Sequence, residues 1–312
     1  MTSNKKNQDK LIVITGPTAS GKTSLASRIA YDIDSEIISA DSRQIYKGMD
    51  IGTGKDLNDY VVNQKSIPYH LIDILDPKQN YSVYDFQKDF YNAYQKIKLK
   101  NKVPILCGGT GLYIESTLLN YDLSTKPAPD QDLRASMTNL DKDDLLKYLY
   151  TITTEKQRSK LLLETRKQII RNIEILQSSP DSNGFKMNPM NDNAIVFATN
   201  VDREVLRQKI KQRLIDRIND GMIAEVKGLI DHGLPIERLD YFGLEYKFIA
   251  QYLKNEISKE LLITSLTTAI RKFAKRQRTW FRRMEKRGVN INWIEPHDYD
   301  RIKILINQYI ES

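Results

Sequence analysis

The stretch Gly16-Pro17-Thr18-Ala19-Ser20-Gly21-Lys22-Thr23 reads GPTASGKT and fits the phosphate-loop pattern G-x-x-x-x-G-K-[ST]. The apolar, β-branched run 11–14 before it predicts a buried parallel strand, and residues 24–31 after it predict a helix. In that context the loop amides and the helix dipole bind an oligophosphate. Lys22 would neutralise phosphate charge and the Thr23 hydroxyl would ligate Mg²⁺. The motif predicts phosphate binding without identifying the phosphate compound.

The composition is that of an ordinary soluble globular chain, with 312 residues, 40% of them hydrophobic and 28% charged. No apolar run approaches membrane-spanning length and residues 1–10 lack the apolar core of a signal peptide, so we expect a cytoplasmic protein without a membrane partner. We also expect a monomer. The single cysteine, Cys107, excludes an internal disulfide and is predicted to be a buried strand thiol. The net charge of +8 admits an anionic partner.

Asp41 directly follows a second predicted strand, 36–40. Ligands of open α/β sheets lie beyond the carboxyl ends of the strands, so we expect Asp41 at the edge where the phosphate loop opens. A carboxylate beside a bound phosphate serves as an outer ligand of Mg²⁺ or as a general base. The structural alternative is that Asp41 caps the next turn.

Two more strands are predicted at 70–75 and 103–107, with a long glycine-containing loop at 47–69 before them. The strand 103–107 runs into a second glycine-rich turn, Gly108-Gly109-Thr110-Gly111, which we expect to form a second binding edge. No acidic residue ends this strand and Asp73 lies inside its own run, so a Walker-B aspartate is missing. That absence argues against an ordinary ATPase.

Residues 121–193 are predicted to form an all-helical insertion. They begin with the proline-rich punctuation 126–129, and a strand at 194–198 then returns the chain to the sheet. The predicted domains are therefore a discontinuous α/β core of 1–120 and 194–312 and a helical insertion. The helices of the insertion are predicted at 130–139, 141–150 and 155–177.

The remainder of the chain is predicted to be helical, at 203–219, 222–230 and 261–287. The last helix carries nine Lys or Arg and one acid between Arg271 and Arg287. Such a run is usually a solvated charged face, and it is also what contact with a phosphate backbone requires.

Six motifs in this order closely resemble the tRNA dimethylallyltransferases, and the resemblance covers nearly the whole chain. They are GPTASGKT, ISADSRQIYKGMDIGTGK from Ile38, YHLIDILDP from Tyr69, YSVYDF from Tyr81, PILCGGTGLYI from Pro104 and AKRQRTWFRR from Ala274. The resemblance implies a P-loop NTPase-like, nucleotide-kinase-like parallel sheet flanked by helices, with a helical insertion that contacts tRNA. It also implies transfer of the dimethylallyl group from dimethylallyl diphosphate to N6 of adenosine 37, beside the anticodon.

The resemblance assigns roles to particular residues. Lys22, Thr23 with Mg²⁺, and Arg213 would stabilise the diphosphate leaving group held by residues 16–23, and Asp41 would accept the N6 proton, with Thr110 opposite. The residues that would contact the tRNA anticodon stem-loop are Asp41, Ser42, Arg43, Gln44, Thr110, Arg134, Lys167, Gln168, Ile169, Ile170, Arg171, Lys275, Arg276, Gln277, Arg278, Trp280 and Arg282.

Three other functions share parts of this pattern. A small-molecule P-loop kinase would share the loop and the sheet but would not need the basic helix. An adenylate prenyltransferase would share the chemistry and use free AMP or ADP. A non-catalytic RNA-binding protein would share the basic helix but would have no use for Asp41 beside a phosphate loop.

Overall fold

The structure is a computed structural model that describes residues 9–119, 121, 123, 130–159, 161–178, 185, 187–295 and 297–312. The predicted punctuation at 126–129 lies outside these residues. The strands are β1 (Leu11–Thr15), β2 (Ile37–Ser39), β3 (Val61–Val62), β4 (Lys65–Ser66), β5 (Tyr69–His70), β6 (Ile105–Gly108), β7 (Ala194–Thr199) and β8 (Ile291–Ile294). The α-helices are α1 (Lys22–Asp32), α2 (Val83–Lys98), α3 (Gly111–Leu118), α4 (Gln131–Ser136), α5 (Lys142–Thr151), α6 (Glu155–Arg158), α7 (Arg166–Gln177), α8 (Arg203–Asn219), α9 (Met222–Asp231), α10 (Leu244–Leu253), α11 (Lys259–Lys286) and α12 (Tyr299–Glu311).

Within the described residues, six strands form one sheet in the order β5-β2-β6-β1-β7-β8, and every neighbouring pair is parallel. All five residues of β1 are fully buried, as a central strand covered by helices on both faces requires. Parallel pairing brings the carboxyl ends of β1, β2 and β6 to one edge of the sheet. The predicted parallel, P-loop NTPase-like fold is confirmed.

The chain divides into two compact units, Met1–Tyr121 with Met187–Ser312, and Asp122–Lys186. Residues 187–193, which the prediction counted with the insertion, therefore belong to the core unit. The smaller unit has its own apolar core of Met137, Leu145, Leu149, Ile169 and Ile173.

The core unit buries two apolar clusters. One packs α1 and α12 against the sheet, through residues such as Ile14, Ile29 and Ile302. The other joins helices α8 to α11 to the loop after β2, and Tyr46 and Tyr246 are among its largest fully buried side chains. This second cluster fixes α8 and α11 beside the carboxyl edge of the sheet.

Several predicted elements were wrong in extent. The strand predicted at 70–75 ends at His70, because Leu71 and Asp73 adopt positive φ angles of 63° and 55°. The helix predicted at 155–177 is interrupted between Arg158 and Arg166, where α7 begins with a capping box of Thr165 and Gln168.

Other elements were missed altogether. The loop predicted at 47–69 contains a short 3₁₀ helix, Leu57–Tyr60, and the antiparallel pair β3–β4. The C-terminal region is not wholly helical, because β8 adds a sixth strand parallel to β7. Helix α10 was not predicted either, although the helices at 203–219 and 222–231 lie where the apolar spacing put them.

Candidate active site at the carboxyl edge of the sheet

A cavity of about 760 Å³ lies at the carboxyl ends of β1, β2 and β6, within the core unit. Its walls include the phosphate loop, here residues 18–23 of the motif, and the segment 41–44 after β2. The second turn, defined as residues 108–111, contributes Gly109, Thr110 and Gly111. Side chains from α8 and α11 complete the walls. The cavity thus joins the two glycine-rich turns that the sequence predicted as binding edges.

The phosphate loop is fixed against β7 by its first glycine. Gly16 has a φ of 153°, and a Cβ at that position would lie 1.8 Å from the Thr199 Oγ1 atom. The Thr199 hydroxyl donates instead to the Ser20 hydroxyl at 2.6 Å. At the other end of the loop, α1 begins after Gly21 without a side-chain cap. An uncapped helix N-terminus of this kind is an anion site.

Lys22, Arg213 and Arg217 are among the cations that line the cavity, and together they form its cationic wall beside the phosphate loop. Burial lowers the pKa of Lys22, and the two arginines lower it further against the opposing charge of Asp41. Arg213 contacts the Thr18 hydroxyl at 3.4 Å, which places its guanidinium at the phosphate loop. Burial beside Arg213 also lowers the pKa of Arg217. The sequence predicted Lys22 and Arg213 and missed Arg217, which lies one helical turn after Arg213 on the same face of α8.

The segment after β2 holds Asp41 beside the second turn. The Asp41 carboxylate accepts a hydrogen bond from the Arg43 amide at 3.0 Å, an Asx-type turn that fixes the side chain. The Ser42 amide donates to the Thr110 hydroxyl at 3.0 Å. Asp41 and Thr110 line the same cavity as Lys22, so the structure brings these predicted residues together.

Two of the predicted tRNA contacts are amide side chains that already have protein partners. Gln44 accepts from the Ser39 hydroxyl at 3.2 Å and donates to the Gly54 carbonyl at 2.9 Å. Gln277 is buried, accepts from the Thr18 amide at 2.9 Å and donates to the Gly109 carbonyl at 2.9 Å. The Gln277 amide thus joins the phosphate loop to the second turn, and because Gln277 also lines the cavity, its contact with tRNA stays a prediction.

Trp280 closes the second turn from α11. A Cβ on Gly111 would lie 2.4 Å from the indole Cδ1 atom, so only glycine leaves room for the ring. The guanidinium of Arg283 lies 3.9 Å from the ring centroid. Glu115, fully buried in α3, accepts from Arg283 at 2.6 Å and from Arg287 at 2.5 Å. Two members of the basic run of α11 are therefore paired within the protein.

The other basic residues of α11 differ in their surroundings. Lys275, Arg276 and Arg282 are exposed, and Arg276 also lines the cavity. Arg278 is half-buried and donates to the Asn200 side chain at 3.0 Å. The basic residues of this helix that are exposed are thus fewer than its sequence suggested.

The predicted contacts in the smaller unit fall into three groups. Arg134 and Arg171 both pair with the buried carboxylate of Glu174, at 2.6 and 2.9 Å. Lys167 is exposed, and the Gln168 side chain belongs to the capping box of α7. Ile169 is fully buried in the apolar core, so a tRNA contact by its side chain is wrong, while Ile170 is half-buried beside that core.

The loop between β2 and the 3₁₀ helix contains polar residues that the sequence analysis overlooked. Lys55 is 1% exposed and donates to the Tyr46 carbonyl at 2.8 Å and to Asp50 at 2.6 Å. Glu225 accepts three successive backbone amides, those of Asp50, Ile51 and Gly52. These contacts hold the loop across the cavity. The only sequence signal for them was the glycine content of the loop.

The cysteine of the chain lies in β6 as a free thiol. Cys107 is buried, and burial raises its pKa to about 12, which agrees with the predicted strand thiol.

Within the part of the chain that the structure describes, no helix is long and apolar enough to cross a membrane. Among the same residues, no group of three or more His, Cys, Asp or Glu could hold a metal ion. A Mg²⁺ ion bound mainly by phosphate and water would need only Thr23 and one carboxylate such as Asp41, both of which line the cavity.

Comparison with known proteins identifies the family of the chain. A sequence model of the family described as "IPP transferase" matches residues 44–284, and one described as "Isopentenyl transferase" matches residues 9–69. The chain is 46% identical to tRNA dimethylallyltransferase 2 of Phocaeicola vulgatus, over 95% of this chain and 96% of that one. It is 47% identical to tRNA dimethylallyltransferase 1 of Parabacteroides distasonis, over 92% of each chain.

Solved structures give the same result. The full-length tRNA isopentenylpyrophosphate transferase of Bacillus halodurans superposes with a TM-score of 0.70 at 30% identity, over 97% of both chains. A eukaryotic dimethylallyltransferase acting on tRNA superposes with a TM-score of 0.75 over 96% of this chain and 77% of that one, and at 22% identity it supports the fold alone. On the family match and the full-length relatives, this chain belongs to the tRNA dimethylallyltransferase family.

Proposed function

We propose that this protein transfers the dimethylallyl group of dimethylallyl diphosphate to N6 of adenosine 37 of tRNA. The products are N6-dimethylallyladenosine and diphosphate. The observation that carries the proposal is that one cavity joins the phosphate loop, the uncapped start of α1, a cationic wall and the Asp41 carboxylate. A donor diphosphate and an acceptor amine need these features side by side.

On the donor side, the diphosphate lies at the phosphate loop and the start of α1. The bond between C1 of the prenyl group and the bridging oxygen breaks, and negative charge develops on the diphosphate. Lys22 and Arg213 stabilise that charge, because both line the cavity and Arg213 contacts the loop at Thr18. Thr23 would hold Mg²⁺ with the phosphate oxygens, and the ion would supply further charge neutralisation there.

On the acceptor side, N6 of adenine attacks C1 and its proton passes to Asp41. The N6 lone pair is delocalised into the ring, so a carboxylate that removes the proton strengthens the nucleophile. The Asp41 side chain is fixed by its bond from the Arg43 amide, and its second oxygen remains for the substrate. The base must leave the anticodon-loop stack to reach this cavity, as base-modifying enzymes require.

The tRNA backbone binds to the exposed basic residues. Lys275, Arg276 and Arg282 lie on α11, whose buried face closes the second turn through Gln277 and Trp280. Phosphate contacts of this kind supply affinity and register and carry no sequence information. Lys167 is an exposed cation in the first turn of α7 in the smaller unit, and we propose that it makes a further phosphate contact.

The test is to incubate dimethylallyl diphosphate labelled in the prenyl group with undermodified tRNA, with AMP, and with ATP plus small acceptors. We expect label only in tRNA, and none in an anticodon stem-loop whose target adenosine is replaced by guanosine. Label in AMP would indicate an adenylate prenyltransferase. Phosphoryl transfer from ATP without prenyl transfer would indicate a kinase and would overturn the proposal.

A further inference from the structure

Asp56 reaches the cationic wall of the cavity from the loop after β2. Its carboxylate contacts Nη2 of Arg213 and lies 3.4 Å from Nη2 of Arg217. It also lines the cavity with the phosphate loop. The arginine assigned to the diphosphate therefore already has an anionic partner from the protein itself.

The local backbone does not explain this contact. Asp56 precedes the 3₁₀ helix Leu57–Tyr60, but its side chain makes no capping hydrogen bond there. The residue has a φ of 42°, a left-handed conformation that Asp and Asn tolerate better than other side chains. The carboxylate is thus directed at the arginines and away from its own helix.

The neighbouring glycine shows that the loop is built against the guanidinium groups. Gly54 has a φ of 65°, and a Cβ there would lie 1.5 Å from Nη2 of Arg217 and 2.7 Å from Nη2 of Arg213. Gln44 holds the Gly54 carbonyl at 2.9 Å. The Gly54 backbone packs against the two guanidinium groups, and the Asp56 carboxylate places a negative charge beside them.

The charge of Asp56 persists in this setting. Burial would raise the pKa of Asp56, but the charges of Arg213 and Arg217 outweigh it and hold the pKa below its usual value. For the neighbouring Asp59, burial and the Asp56 charge raise the pKa. Arg213 and Arg217 therefore face an ionised carboxylate at Asp56.

We propose that Asp56 limits the phosphate chain that this cavity accepts, so that it favours a diphosphate over a triphosphate; the inference rests on the proposed function, in which the donor is a diphosphate. A triphosphate brings one more charged phosphoryl group into the same cavity. It would need guanidinium donors that Asp56 already occupies, and it would add a like charge beside that carboxylate. A diphosphate can be bound by the phosphate loop, Lys22 and those Arg213 donors that do not contact Asp56.

Inorganic pyrophosphate and tripolyphosphate test this without an organic group, by calorimetric titration at a fixed free Mg²⁺ concentration. The parent protein should bind pyrophosphate more tightly. Asp56→Asn keeps the shape and the left-handed backbone but removes the charge. It should raise tripolyphosphate affinity about tenfold more than pyrophosphate affinity, the scale of one nearby unit charge in a partly solvated site.

Asp216→Asn is the matched control, because Asp216 also lines the cavity but accepts from Gln212 and not from the arginines. Its affinity ratio should stay that of the parent. Should Asp56→Asn have a lowered melting temperature, Asp56→Gly removes the side chain and also accepts a positive φ. Thermal melting of each variant is measured beside the titrations.

Equal shifts for both polyphosphates in Asp56→Asn and Asp56→Gly would overturn the proposal, as would a parent that binds tripolyphosphate as tightly as pyrophosphate. A parent that binds neither would also overturn it. The proposed function fails separately: a selective shift in affinity without any prenyl transfer to tRNA by the parent would keep the role of Asp56 and remove the assigned donor.

Discussion

The phosphate loop and the second turn are both glycine-rich strand-to-helix turns, but different groups pack against them. Each follows a strand of the same sheet and leads into a helix that begins without a side-chain cap, α1 in one case and α3 in the other. Above the phosphate loop lie Lys22, Arg213 and open cavity. Above the second turn, α11 fills the space, because Gln277 and Trp280 pack where Cβ atoms of Gly109 and Gly111 would otherwise lie.

That difference shows what a glycine-rich strand-to-helix turn can be used for. Its glycines allow a close approach, and the approaching group is either a phosphate or another part of the protein. With a lysine and arginines nearby, the phosphate loop suits an anion. The second turn packs against α11 and carries Thr110, whose hydroxyl accepts from the Ser42 amide beside Asp41, so we propose that it serves the acceptor side. The two turns thus predict separable effects on donor and acceptor.

The largest effect is expected on the acceptor side, for Asp41→Asn. Asparagine keeps the shape and the bond from the Arg43 amide but cannot take a proton at neutral pH. We expect single-turnover prenyl transfer to fall about 10²- to 10⁴-fold, the range for loss of a general base. Donor affinity, measured by equilibrium binding of dimethylallyl diphosphate, should change little.

The same variant separates the two roles that Asp41 could have. The control repeats both measurements over a range of Mg²⁺ concentrations. A loss of donor affinity that extra Mg²⁺ restores would make Asp41 mainly a metal ligand, and the general-base assignment would then be wrong.

The next effect belongs to the donor side. Lys22→Ala should lower turnover about 10²- to 10³-fold, as expected when one electrostatic stabiliser of the leaving group is lost. Because burial already lowers the pKa of Lys22, its removal should not reduce the melting temperature. Full activity in Lys22→Ala would mean that the diphosphate does not bind in this loop. Lys275→Ala, a lysine on the outer face of α11, is the matched control for turnover at saturating tRNA.

The contrast between the turns also shows how much the sequence could predict. The phosphate loop and β1 are encoded locally, by residues 11–23 alone, and both were predicted. Asp41 and Thr110 could be placed on one edge because parallel strands share it. The pairing of Gln277 with Thr18 could not, because it joins residues 259 positions apart and helical spacing does not identify the partner of a side chain.

Other features were hidden for the same reason. Asp56 and Arg217 meet across 161 positions, and neither belongs to the phosphate-loop pattern. Strand β8 lacks period-2 alternation and follows a long helix, so four residues gave too little signal to reveal it. Burial of Ile169 reflects the three-dimensional packing of α5 and α7, which the basic motif around it conceals.

Gln277 is the link between the two turns, and Gln277→Leu tests it. The substitution removes the bonds to the Thr18 amide and the Gly109 carbonyl and leaves both groups buried without a partner. We expect a loss of about 1–3 kcal/mol in donor binding, about tenfold to a hundredfold in affinity. Gln277→Glu is the control, since it keeps the acceptor for Thr18 but places a negative charge near the phosphate loop. A variant with normal donor affinity and weaker tRNA binding would support the predicted tRNA contact of Gln277 and contradict its role as the link.

The smallest effect per residue is expected for the exposed basic residues of α11. Lys275, Arg276 and Arg282 are exposed, whereas Arg283 and the C-cap residue Arg287 are paired with Glu115. If the exposed three contact tRNA phosphates, each substitution by Ala should lower the slope of log affinity against log salt by about one unit. Donor affinity should not change on substitution of Lys275 or Arg282, which unlike Arg276 do not line the cavity, and the melting temperature should not change in any of the three variants. Substituting Lys286, a basic residue of the last turn, provides a control for general charge. Because long-range attraction alone would respond equally to any lysine, an equal loss of slope in Lys286→Ala would show that tRNA senses only the net charge of the helix. If all three residues are replaced by Ala together and the slope is unchanged, this basic surface is an ordinary solvated face.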